Sequence, residues 1–162
     1  MHGRSKDRSL AVLLFGRNYL CTNMTIEPRE TRTSIAILKR IRPDFLEAHY
    51  LPGAVLNTAS LDEVQRARRQ LMGTAPYAML SIIPEDVDYT TSAMTVDHLD
   101  KDRKEGALLA IAVVAHANMM ELILKLYFSY YPQMNRIHVT PSEKEAREWL
   151  KVQMEEIART GS

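Results

Sequence analysis

The sequence predicts an α/β fold: a single domain in which a β-hairpin is followed by βαβ units, giving a mixed five-stranded sheet packed with about four helices. Three observations carry this prediction. Ala107 to Ala115 (ALLAIAVVA) is an apolar run too short for a membrane span and without the polar alternation of a half-wet strand, so it belongs in mid-sheet. After it, segments of strand length alternate with segments of helical period, ending in VTPSEKEAREWL. Before it, Ser34 to Leu51 reads as two strands around Arg42-Pro43-Asp44, where proline sets φ for a turn.

Taken in order, Ser34-Ile35-Ala36-Ile37-Leu38-Lys39-Arg40-Ile41 has the β-branching and alternation of a first strand, and Phe45 to Leu51 returns as its partner until Pro52-Gly53. Ser60-Leu61-Asp62-Glu63 reads as a capping box opening a helix whose inward stripe is Leu61, Val64, Ala67 and Leu71, with Arg66, Arg68 and Arg69 on a paired, solvated face. Gly73 closes that helix, and Pro76 to Ile83 forms the third strand, stopped by Pro84. Tyr89-Thr90-Thr91-Ser92 offers N-caps for a second helix carrying Ala93, Met94, Val96 and Leu99, whose charged end Asp100 to Glu105 reads as a solvated helix end and loop. Asn118 to Tyr131 is a helix apolar on nearly every side: Met119, Ile123, Leu126 and Tyr130 follow helical spacing, with Met120, Leu124 and Tyr127 beside them. Such a helix packs on more than one surface. Arg136 to Val139 is a last short strand, after which Thr140 caps a helix with Pro141 in its first turn, Glu143 bonding back, and Ala146, Trp149, Leu150 and Ile157 facing inward.

The chain of 162 residues suits one domain, divided into a leader or extension over 1–32 and an α/β domain over 33–158. Lys and Arg total 21 against 20 Asp and Glu, a balance that provides no field for nucleic acid or an anionic membrane. The single Cys21 excludes an internal disulfide and a cysteine metal cluster, and it fits a reducing compartment, the cytoplasm. In the leader, Arg17-Asn18 interrupt the apolar run Leu10 to Phe15 before spanning length, so no integral membrane segment is expected. An export leader, a working start at Met24, and an extra element lying on the domain all stay open for residues 1–23.

No catalytic or metal signature stands out. His49, His98, His116 and His138 lack ligand spacing, and Glu85, Asp86 and Asp88 supply too few ligands for calcium. Ser81 and His116 have no orienting acid, and no nucleophile elbow, Walker or dinucleotide glycine pattern occurs. No cofactor and no enzyme activity are therefore expected. Met119, Met120, Ile123, Tyr127 and Tyr130 form the candidate apolar pocket or interface, since flexible methionines and amphipathic tyrosines suit either role as well as a core.

The opening hairpin, the helix after SLDE, YAMLSIIPEDVDYTTSAM, ALLAIAVVA with its helix, and VTPSEKEAREWL together resemble small bacterial STAS-like proteins over about residues 33 to 151. Those proteins are relatives of the anti-sigma-factor antagonists and are distantly similar in architecture to lipid-carrying CRAL-TRIO domains. The resemblance implies a non-catalytic regulatory or protein-interaction module. Antagonists of this kind carry a phosphorylatable serine at the helix start after the third strand, typically after an aspartate. The matching place here is Asp88, Thr90, Thr91 and Ser92, where Tyr89 follows the aspartate, threonines replace serines and no glycine follows. The leading expectation is thus a cytoplasmic regulator that binds an unidentified protein partner and forms a homodimer. The alternative is a carrier or sensor of a small apolar molecule or lipid held between the sheet and helix 118–131.

Overall fold

The computed structural model describes residues 29–131 and 136–161. Residues 1–28 lie outside this range, and with them the apolar run Leu10 to Phe15, Cys21 and the Met24 start. In chain order the elements are β1 (Glu30–Arg32), β2 (Ala36–Arg42), β3 (Phe45–Tyr50), β4 (Val55–Leu56), α1 (Thr58–Met72), β5 (Tyr77–Ile83) and β6 (Asp88–Tyr89). They continue with α2 (Thr91–Met94), α3 (Asp100–Glu105), β7 (Leu108–Ala115), α4 (Asn118–Tyr130), β8 (Ile137–Thr140) and α5 (Glu143–Thr160).

The main sheet runs β1-β2-β3-β5-β7-β8. Its first three strands pair antiparallel and the rest parallel, so the expected α/β class, with a hairpin leading into βαβ units, is what the chain adopts. The sheet has six strands where the sequence suggests five, because Glu30–Arg32, assigned from sequence to the leader, pairs with β2 in the register Glu30↔Lys39. A second, two-stranded sheet joins β4 to β6 through Val55↔Asp88 and Leu56↔Tyr89. The apolar run of β7 is indeed central, flanked by β5 and β8.

Because β3, β5, β7 and β8 follow one another in a single direction across the sheet, crossovers of one hand place α1, the α2–α3 segment and α4 on the same face. Met79 and Ile83 of β5 and Ile111, Val113 and Ala115 of β7 point to that face and join Val64, Leu71, Leu99 and Met120 in one core. Period-2 alternation sends Ala78, Leu80, Ala110, Ala112 and Val114 to the other face, against Ala146 and Leu150 of α5. The small alanines let α5 lie close to the sheet. Trp149, expected inward, is half-buried and stacks on His138 with ring centroids 5.3 Å apart. Glu47 of β3, buried on the α5 face, ties that helix down through Arg147 Nη1 at 2.6 Å and also accepts from His49 Nε2 at 2.8 Å. Burial works to raise the Glu47 pKa, but its bonds and charge pairing with Arg147 and His49 outweigh that and hold it below the usual carboxylate range.

Two helix starts and one helix span differ from the sequence expectation, and at both starts the side chain that reaches the orphan N–H groups is a neighbour of the expected one. Helix α1 is capped by Asn57, whose Oδ1 accepts from Ser60 N–H at 2.8 Å while Ser60 Oγ accepts from Asn57 N–H at 3.0 Å. Glu63 is thereby free to accept from Ser34 N–H at 3.0 Å and from the Ser34 hydroxyl. Helix α5 is capped by Ser142, and Thr140 instead accepts from Ser142 N–H at 3.2 Å and donates to Glu145 Oε2 at 3.1 Å. The third difference lies between β5 and β7, where the single helix expected after Ser92 is two short ones. Thr95 Oγ1 donates to the Ser92 carbonyl at 3.0 Å and Asp97 Oδ1 accepts from Leu99 N–H at 3.1 Å, side-chain bonds that compete with helical ones.

Candidate functional site

Beside the two short helices within residues 91–105, of four and six residues, lies an apolar cavity of about 120 Å³. Met79, Ser81, Ile83, Ile111 and Val113 form its floor on the sheet, while Leu61 and Val64 of α1, Ala93 and Met94 of α2, and Met120, Ile123, Leu124 and Tyr127 of α4 form its walls. Partly exposed Leu61, Met94 and Ile123 among these walls connect it to solvent. Of the five apolar candidates read from sequence, Met120, Ile123 and Tyr127 line it.

Polar groups hold this roof in place. The Tyr127 hydroxyl donates to the Val96 carbonyl at 2.8 Å and accepts from His98 N–H at 3.0 Å, fastening α4 to the segment between α2 and α3. Burial pushes the Tyr127 pKa up to about 12. His98 lies against the Tyr127 ring, with centroids 6.1 Å apart, and its Nε2 donates to the Ala93 carbonyl at 2.8 Å. Arg103 donates to both oxygens of Asp97 and by that hydrogen bonding holds the Asp97 carboxyl below the usual range.

On the α1 side the anchor is ionic. Arg68 and Asp102 are each 1 % exposed, and Arg68 Nη2 donates to Asp102 Oδ2 at 2.6 Å and to Gln65 Oε1. Arg69 Nε approaches the other carboxylate oxygen at 3.5 Å. Two expectations are corrected here. The Arg66, Arg68 and Arg69 cluster is not a wholly solvated face, since Arg68 is in the core, and the charged run Asp100 to Glu105 is not wholly solvated, since Asp102 is buried against it. A buried guanidinium needs a buried partner, and the fold supplies one 34 residues away. A sequence signal for Arg68 exists: it stands four residues after Val64 and three before Leu71, on the inward stripe. Nothing in the run DKDRKE distinguishes Asp102 from its neighbours.

The remaining apolar candidates, Met119 and Tyr130, lie on the outer side of α4. With Leu122 and Leu126 they form an apolar stripe in which each side chain is between 53 % and 72 % exposed. The loop candidates are separate from the cavity floor. Asp88 is in β6; Thr90 sits at the start of the four-residue α2 without capping it through its side chain, and its hydroxyl lies 2.9 Å from the Ser92 hydroxyl. Thr91 and Ser92 are exposed. Ser81 is buried in the cavity floor and His116 is exposed. Among the described residues no three His, Cys, Asp or Glu side chains converge as a metal site, and no helix is long and apolar enough to cross a membrane. No family model, curated protein or solved structure matches the chain.

Proposed function

We propose that this protein is a binding module for a small apolar molecule, a carrier or sensor that houses its ligand between the sheet and α4. The observation that supports this reading is the apolar cavity of about 120 Å³, floored by β5 and β7 and walled by α1, α2 and α4. An engineered apolar cavity of about 150 Å³ stays dry and takes up benzene, so a space of this size suits one ring or a short alkyl segment. The elements around it are tied to one another by the bonds of Tyr127 on α4 and Arg68 on α1. Organic-solvent extraction of the purified protein followed by mass spectrometry tests the reading directly, together with thermal unfolding in hexan-1-ol. A stoichiometric apolar compound, or a melting temperature that rises with hexan-1-ol as binding to the native state requires, supports it. No extracted compound and no rise would overturn it.

A second reading is favoured by a different observation, the exposed stripe of Met119, Leu122, Leu126 and Tyr130. It is the regulatory one: a cytoplasmic module of STAS-like type that associates with protein, including a second copy of itself, through the outer side of α4. Apolar side chains on consecutive turns of one helix face are the usual anchors of helix-mediated association.

A further inference from the structure

The geometry points to an anionic group on the ligand of this cavity, making that ligand a small carboxylate with an apolar body; the inference rests on the apolar-ligand reading above. Arg68 lines the cavity and is almost wholly buried, and among the described residues its Nη1 has no hydrogen-bond partner. Arg69 Nε, which has only its long 3.5 Å approach to Asp102 Oδ1, is a second buried donor of this cluster without a hydrogen bond among the described residues. One carboxylate, Asp102, pairs with both guanidiniums, so the cluster carries two positive charges against one negative. Buried donors without acceptors are costly. A carboxylate brought in by a ligand answers this deficit with a charge-assisted bond from Arg68 Nη1; an alcohol can accept only a neutral and weaker one, and an ammonium accepts none. The volume limits the apolar part to about five or six carbons, by comparison with the benzene-sized cavity above.

Calorimetric titration of the full chain with hexanoate, hexan-1-ol and hexylamine separates this inference from the one beneath it. Hexanoate is expected to bind about tenfold or more tightly than hexan-1-ol, the ratio that one charge-assisted hydrogen bond supplies, and hexylamine most weakly. Arg68→Met should remove the preference for hexanoate, so that hexanoate binds no better than hexan-1-ol in that variant. Because that variant strands Asp102 and can fail to fold, Asp102→Asn provides a second arm. It relieves Arg68 of its competing carboxylate, so hexanoate should bind more tightly and raise the melting temperature further than in the parent. If hexan-1-ol binds and hexanoate binds no better, the anionic ligand is wrong and the apolar cavity stands. If none of the three probes binds, both are wrong, and tighter binding of hexylamine, or unchanged hexanoate affinity in Asp102→Asn, would also overturn the anionic assignment.

Discussion

Filling the cavity should stabilise the protein while competing with its ligand, and Val113→Ile is the cleanest way to do so. Val113 is buried in the middle of β7 and its side chain lines the cavity floor. Isoleucine keeps the β-branch that suits a strand and adds one methylene, so the expected gain is about 0.8 kcal/mol, or a rise of about 2–3 °C for a chain of this length. Urea unfolding should show a higher midpoint with an unchanged slope, the mark of altered stability without altered compactness. Hexan-1-ol binding should weaken in the same variant. The competing expectation has the opposite sign: in a site already filled, the extra methylene forces strain and costs about 1–3 kcal/mol. A lower midpoint for Val113→Ile would therefore refute the cavity, and a higher midpoint with undiminished hexan-1-ol binding would refute its role as the binding place.

Further outcomes follow from the same structure. Arg68→Met should destabilise the fold by about 3–5 kcal/mol because Asp102 is left buried, whereas Arg68→Met with Asp102→Leu should cost less than either single change; additive costs in a double-mutant cycle would mean the two are not coupled. Burial drives the pKa values of Tyr77 and Tyr127 up to about 12, above the unfolded value of about 10. Raised values mean that the native state holds these protons longer, so their stability contribution is complete below about pH 10 and is lost as pH rises through about 12. A titration followed by phenolate absorbance should show late-ionising tyrosines, and ionisation of every tyrosine near pH 10 without loss of stability would contradict their burial. Leu122→Glu on the outer stripe of α4 should leave the melting temperature within about 1–2 °C of the parent, since exposed substitutions cost little, and should reduce the apparent mass in sedimentation if the stripe joins two copies. A parent that sediments as a monomer would remove the homodimer from consideration.

The apolar candidates show how a single helical pattern can hold two roles. Met119, Met120, Ile123, Tyr127 and Tyr130 are legible in the sequence as one apolar helix, but spacing alone cannot say which side of it meets the sheet. In the fold, Met120, Ile123 and Tyr127 turn to the cavity while Met119 and Tyr130 face solvent. The sequence offered a pocket beside this helix but not the wall that the crossover supplies, because the break between α2 and α3 depends on side-chain bonds of Thr95 and Asp97 that compete with helical ones.

Local chemistry by itself determined the class of fold, the hairpin at Arg42-Pro43-Asp44, the central place of ALLAIAVVA and most strand and helix spans, since apolar period and turn residues act over a few neighbours. Long-range assembly decided the rest. Glu30–Arg32 became a strand only because the edge of β2 offered it hydrogen bonds. Asp102 became a core residue only because Arg68 lies opposite it on another helix. A charge is solvated by default, and it enters a core only when tertiary structure brings an opposite charge and hydrogen bonds to the same point, a condition that no short stretch of sequence contains.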